Sequence, residues 1–236
     1  GVVDRKDVID GRAIAAGDWW GAKSFYQAPL YPYFLAVVMA LAGEHLPLVY
    51  FLQILLHSGS AVLIYCIGRG MGGKKVGVAA SLLFIFHGLF SFYALKIHTE
   101  TLAVFLHLLL AYFLLPNRRA GYSALAGFTL GVLIFCKAYA LLYLPSIAVY
   151  ILLQKDDSRE EKIKRIAAFA LPALALISLV TIHNFRRGGG FVPIAGDGGI
   201  NFYIGNHARA NGSFSFVEGV SLDIKHQESD ARRLAE

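Results

Sequence analysis

An all-α polytopic membrane protein is the fold class this sequence predicts, and three features say so. Of its 236 residues, 56% are hydrophobic and only 16% are charged, so the mean hydropathy is positive. The apolar residues fall in long runs, with the charged ones confined to short segments between them. Basic residues gather in alternate segments, so membrane orientation accounts for the formal charge of +6 and no nucleic-acid partner is implied.

The chain opens on a polar, acid-containing stretch with Asp4, Asp7 and Asp10, then runs into Phe25-Tyr26-Gln27-Ala28-Pro29-Leu30-Tyr31-Pro32-Tyr33. Residues 30–43 are apolar but about 14 long, short of the roughly 17 to 25 that a spanning helix needs. Their prolines and tyrosines suit an interfacial or re-entrant helix with the aromatics at headgroup depth. Six spans are predicted after it, at 46–68, 76–95, 101–115, 122–136, 139–154 and 166–183. Beyond 183 the composition changes to Arg186-Arg187-Gly188-Gly189-Gly190, a β-like stretch over 191–194 and a glycine-rich segment over 196–206 that reads as tight turns. A polar surface helix is predicted over 223–236.

Six spans put 1–45 and 184–236 on the same side of the membrane. The segments after the first, third and fifth spans hold Arg69, Lys74, Lys75, Arg118, Arg119, Lys155, Arg159, Lys162, Lys164 and Arg165, against Lys96 and Lys137 after the second and fourth. The basic set is therefore cytoplasmic and both flanking regions extracytoplasmic; counting 30–43 as a seventh span would reverse this for everything upstream of it. Cys66 and Cys136 then lie at different depths, which argues against a disulfide. The start at Gly1 and the end at Glu236 within a polar helical run suggest a piece of a longer protein.

On this topology Asp4, Asp7, Asp10, Lys96, His98, Glu100, Lys137, His183, Arg186 and Arg187 converge on the outer face. Ionisable groups at span ends are costly unless paired or wet, which makes them functional candidates. Each also has a plainer reading. Asp4 and Asp7 fit a helix cap and first turn, as do Thr99 and Glu100. Lys137 fits a snorkelling lysine, and Arg186 and Arg187 fit contacts with anionic lipid. His57, His87 and His107 lie within spans at no metal-ligand spacing and read as packed. Two functions remain open: a transferase acting on a lipid-linked substrate, and a transporter or flippase of lipid-linked or small solutes. A transporter should carry its ionisable residues at mid-membrane on broken helices; here they gather at the ends.

The stretches Gly17-Asp18-Trp19 and Phe25 to Ala36 resemble the first outer loop of the bacterial glycosyltransferase family 39-like proteins. These are relatives of protein O-mannosyltransferases and of the lipid A aminoarabinose transferase. The resemblance continues through Gly68-Arg69-Gly70-Met71-Gly72, Thr99-Glu100, Asn184-Phe185-Arg186 and Gly198-Gly199-Ile200-Asn201-Phe202-Tyr203-Ile204-Gly205-Asn206. It implies a GT-C-type transmembrane helix bundle with three regions: a first extracytoplasmic loop with juxtamembrane helices over 1–45, the six-span bundle over 46–183, and an extracytoplasmic glycine-rich loop and surface helix over 184–236. One further span would precede Gly1. It also implies a bacterial cytoplasmic-membrane location, a sugar donor carried on polyprenyl phosphate, and an acceptor hydroxyl on a protein or glycolipid outside.

For an inverting transfer of that kind, one carboxylate must take the acceptor proton and cations must neutralise the departing phosphate. The resemblance points to Asp4 as the base, with Asp7 second because this chain has Asp4-Arg5 and Val8 where relatives often have Asp-Glu or a tyrosine four residues on. Glu100 is then a supporting carboxylate that positions the acceptor or, together with Asp4, a divalent cation. Lys137 with Arg186 or Arg187 would contact phosphate, and Lys96 and His98 would complete the shell. The aromatic run Phe25–Tyr33, Tyr31 included, would line the donor's path, and the Gly198–Asn206 loop would cover the sugar with its backbone amides and Asn201.

Overall fold

The computed structural model describes residues 6–21, 23–115, 120–155, 157–207, 210, 219–221, 229, 230 and 233. Among these residues every regular element is helical. Asp4 lies outside them, as does most of the surface helix expected over 223–236.

α1 (Lys6–Ala15) and α2 (Leu30–Ala42) pack on each other. They cross at Gly11, where a Cβ would stand 3.0 Å from Leu35 Cβ and 3.2 Å from the Pro32 carbonyl oxygen. Val8, Tyr31, Leu35, Val38 and Met39 bury there with Val49 and Ile97. At 13 residues α2 is about 20 Å long, too short to cross a hydrocarbon core.

α3 (Leu46–Phe86) counts 41 residues but is two antiparallel legs. Its helical path breaks at Gly72 and at Gly73, whose φ of 84° and ψ of 178° belong to glycine alone. Gly68 and Gly77 then face each other so closely that a Cβ on Gly68 would sit 2.9 Å from Gly77 Cα, and one on Gly77 2.6 Å from the Tyr65 carbonyl oxygen. Further along, the His57 and Phe84 rings stack at 4.8 Å. The legs correspond to the expected spans 46–68 and 76–95. The second span is interrupted, however: the backbone turns extended at His87 before α4 (Gly88–Ala94), where glycine is the poorest helix former after proline.

α5 (Glu100–Phe113), α6 (Ala120–Cys136), a 3-10 turn (Ala138–Leu142) running into α7 (Tyr143–Leu152), and α8 (Arg159–Gly188) follow. α8 outruns its expected 166–183 at both ends. Its start is fixed by a capping box, in which the Ser158 hydroxyl accepts from the Glu161 N–H and the Ser158 N–H donates to the Glu161 carboxylate; it ends on Gly189 at φ 68°. The expected cap at Thr99 is not made: its hydroxyl lies 3.0 Å from Cys136 Sγ instead. α6 and α8 form the closest pair. Gly127 and Gly131, four apart on α6, let the helices meet, and a Cβ on Gly127 would lie 1.9 Å from the Phe169 carbonyl oxygen. Small residues at this spacing bring helix backbones together in membranes.

By length and composition α3 and α8 can each cross a membrane. Apolar side chains such as Val62, Leu83, Leu171 and Leu179 stand exposed along them, as a lipid-facing surface requires.

After α8 the sequence expectation needs two corrections. Residues 191–194 form no strand; instead the Asn184 side-chain amide donates to the Val192 and Ile194 carbonyls, each at 3.0 Å, and Thr181 donates to the Pro193 carbonyl at 2.9 Å. The glycine-rich 198–206 is not a set of turns but a helix, α9 (Gly198–Asn206). Ile200 and Ile204, one helical turn apart, bury against Val220 and Tyr26, and that packing overrides the low helix propensity of its glycines.

Candidate active site

A cavity of about 910 Å³ opens where five separate stretches meet. α1 contributes Lys6 and Asp7; the turn before α2 contributes Gln27 and Ala28; the α6–α7 junction contributes Lys137 and Tyr139; and the segment into α9 contributes Asp197 and Asn201. His98 and Thr99 complete the wall ahead of α5.

Backbone clamps hold these stretches together. The Phe25 N–H donates to Asn184 Oδ1 at 2.9 Å. The Gly196 and Asp197 N–H groups donate to the Phe25 and Tyr26 carbonyls, each at 3.0 Å. Asn184, fully buried, therefore joins α8, the 191–194 segment and the turn before α2. Buried amide networks of this kind fix geometry because an unmet partner is costly.

Lys137 owes its direction to a helix break. α6 ends at Cys136, and Lys137 is extended at φ −144° and ψ 104° before the 3-10 turn begins. Its ammonium lies 2.6 Å from Glu100 Oε1, and His98 Nδ1 lies 3.6 Å from the same oxygen. Lysine and glutamate are 37 positions apart in sequence. Glu100 does not itself line the large cavity; it stands behind Lys137 and borders a smaller apolar cavity of about 160 Å³ with His57 and Tyr93.

Asp197 is a carboxylate with a cost. Burial raises its pKa, while the Asn201 side chain and the charges of Lys6 and Lys137 pull it part of the way back. It shares the cavity wall with Asn201, four residues on, which puts both on one face of α9. Sequence reasoning gave Asp197, Lys6 and Tyr139 no role. The signal available for Asp197 was its place in the glycine-rich segment 196–206, directly before the family-like Gly198–Asn206 and four before Asn201.

Asp7, His98, Lys137, Tyr31 and Asn201 are thus brought to one cavity, with Glu100 attached through Lys137. Tyr31 is 2% exposed and contributes mainly structure: its hydroxyl donates to Gln53 Oε1 at 2.6 Å, and Gln53 Nε2 donates to the Ala94 and Lys96 carbonyls at 3.1 and 2.6 Å. Besides Glu100, three expected members do not line it. The exposed Lys96 lies over the Phe92 ring at 5.1 Å, and Arg186 and Arg187 are exposed in the last turn of α8. His183 packs against Phe25 with ring centroids 4.6 Å apart, and His107 bonds the Ala103 carbonyl, so both serve packing. Among the described residues no three His, Cys, Asp or Glu side chains gather as a metal site, and of the pair Asp4 and Glu100 only Glu100 is described.

Residues 26–183 match the family described as dolichyl-phosphate-mannose-protein mannosyltransferase. The chain belongs to that family. The match covers the turn before α2, both legs of α3 and the helices through α8, and it agrees with the resemblance read from Phe25 to Ala36, Thr99-Glu100 and the intervening motifs. The Gly17-Asp18-Trp19, Asn184-Phe185-Arg186 and Gly198–Asn206 stretches fall outside the matched residues. No curated protein and no solved structure matches the chain. As a member of the mannosyltransferase family with helices able to span a bilayer, it is a glycosyltransferase-type integral membrane protein.

Proposed function

We propose that this mannosyltransferase-family protein moves a sugar from a polyprenyl-phosphate donor to an acceptor hydroxyl, with inversion, in the cavity shared by Asp7, Lys137 and Asp197. The observation that carries the proposal is the meeting of Asp7 and Lys137 in one cavity of a family member. Such a transfer needs a base and a cation on opposite sides of the anomeric carbon.

In the proposed reaction the acceptor oxygen attacks the anomeric carbon and the bond from that carbon to the phosphate oxygen breaks. The hydroxyl proton goes to a carboxylate of the Asp4–Asp7 stretch, and polyprenyl phosphate leaves with its charge against Lys137. Phosphate needs no general acid to depart. Glu100, bonded to Lys137, aims the ammonium, and His98 lies beside it. A divalent cation held by Asp4 and Glu100 remains a proposed addition to this arrangement. The reading also includes a GT-C-type bundle of six crossings, with α1, α2 and α9 on the extracytoplasmic side of a bacterial cytoplasmic membrane.

Full-length protein reconstituted with radiolabelled polyprenyl-phosphate hexoses tests the reading. Transfer should occur in the wild type and fall in Lys137→Met, and the single variants Asp4→Asn and Asp7→Asn should assign the base. Retention of full transfer by all three variants would place the chemistry elsewhere. Solute movement across vesicles without sugar transfer would replace the enzyme with a transporter.

A further inference from the structure

Beside the large cavity lies a second one of about 400 Å³, and the two share Lys6, Asp7, Gln27 and Ala28 as a common wall. Of its lining, the reaction proposed above uses only Asp7. Its far side is a ledge made by Trp19, Trp20, Phe25 and Tyr33, with Asp10 and Asp18 at the rim.

The ledge is a built turn rather than a loose anchor. Asp18 Oδ1 accepts from the Gly21 N–H at 3.0 Å, and Gly17 and Gly21 take φ of 109° and 60° on either side. Tyr33 donates its hydroxyl to the Trp19 carbonyl oxygen. The Trp20 ring lies 5.6 Å from that of His183, which packs on Phe25. Even so, Trp19 and Trp20 stay 51% and 60% exposed, although burying them would be favourable. Lipid-anchoring tryptophans would also be exposed, but these two line a cavity that carries carboxylates, where a lipid tail gains nothing.

We infer that this second cavity is the acceptor site and that it takes a saccharide, the sugar headgroup of a glycan or glycolipid, with Asp7 at the junction facing both substrates. A pyranose has a flat C–H face for an indole and a rim of hydroxyls for carboxylates. Asp10 spends one oxygen on Lys6 and Asp18 one on Gly21, which leaves each with further acceptor capacity for a hydroxyl. An extended peptide is held by a strand edge or a long groove; among the described residues there is no strand, and this cavity is compact. The shared wall also fits the chemistry, because the acceptor hydroxyl must reach the donor's anomeric carbon past the base.

This inference rests on the proposed glycosyl transfer, and one experiment separates the two. Full-length protein in nanodiscs, supplied with a panel of polyprenyl-phosphate hexoses, is offered either methyl glycosides or a Ser/Thr-rich peptide. Transfer to glycosides is expected. Trp19→Ala should raise the acceptor KM about tenfold with the donor KM unchanged, and Trp19→Phe should restore most of the loss. Transfer confined to the peptide overturns the inference and leaves the glycosyltransferase in place, as does a Trp19→Ala enzyme whose acceptor KM is unchanged or whose donor KM rises equally. Absence of transfer to either acceptor by the wild type removes the function, and this site with it.

Discussion

The Lys137 ammonium sits 2.6 Å from the Glu100 carboxylate although α5 and the α6–α7 junction bring them from 37 positions apart. The side chains are 20% and 35% exposed, so the pair is neither a solvated surface bridge nor a fully buried one. Lys137 reaches the large cavity while Glu100 stands behind it. If Lys137 takes the leaving phosphate's charge, Lys137→Met should lower kcat about a hundredfold, and Glu100→Gln about tenfold through misdirection of the lysine. The double variant should be no slower than Lys137→Met alone, because both changes remove one interaction. Single-turnover assays with labelled donor measure all three, and additive losses would show that Glu100 acts independently.

Asp197 predicts a pH dependence of stability. Its carboxyl titrates above the ordinary value because burial disfavours the charge. The folded protein therefore keeps this proton to higher pH than the unfolded chain does. The contribution to stability is complete below the unfolded pKa of about 3.9 and is lost as pH rises through the raised folded value. Asp197→Asn removes the titration without removing the polar group. Thermal unfolding in detergent should give the variant a higher Tm than wild type at about pH 8, with the gap closing toward about pH 4. Equal differences at both pH values would mean that Asp197 is not paying for burial.

The α6–α8 contact predicts a graded response at two glycines. At Gly127 the obstacle is the Phe169 backbone, which cannot yield, whereas at Gly131 it is the Leu176 side chain, 2.7 Å from the added Cβ and able to change rotamer. Gly127→Ala should cost about 3 kcal/mol or more, and Gly131→Ala about 1 kcal/mol. Detergent unfolding curves for the two variants provide the measurement. A milder effect at Gly127 than at Gly131 would contradict the packing.

Asn184 predicts a local loosening. Asn184→Ala strands the Val192 and Ile194 carbonyls and the Phe25 N–H at once, a loss of about 3 kcal/mol. Asn184→Asp keeps the acceptor for Phe25 but loses both donors, so it should behave almost as badly. Hydrogen exchange should rise first at 25–26 and 191–197 in both variants, before the helices respond.

Much of the architecture was legible because it is local. Runs of apolar residues between charged segments placed every span-length helix near its observed position, and the paired glycines at Gly72-Gly73 ended one leg of α3 and began the next. Misreadings came where packing outweighed composition. Gly198–Asn206 looks like turns until Ile200 and Ile204 are seen to bury together, and 191–194 looks like a strand until Asn184 takes its carbonyls.

The sequence by itself determined a helical chain with apolar surfaces and, through its motifs, a resemblance that agrees with the mannosyltransferase family match over 26–183. Apolar periodicity and glycine placement act within a few residues, so they can be read without the fold. Tertiary structure alone decided which charges meet. It turned Lys137 toward Glu100 at a helix break, put Asp197 in one cavity with Asp7, and left Lys96, Arg186 and Arg187 outside that cavity. The direction of a side chain at the end of a helix depends on what packs against that end, and for Lys137 the neighbour is 37 residues away.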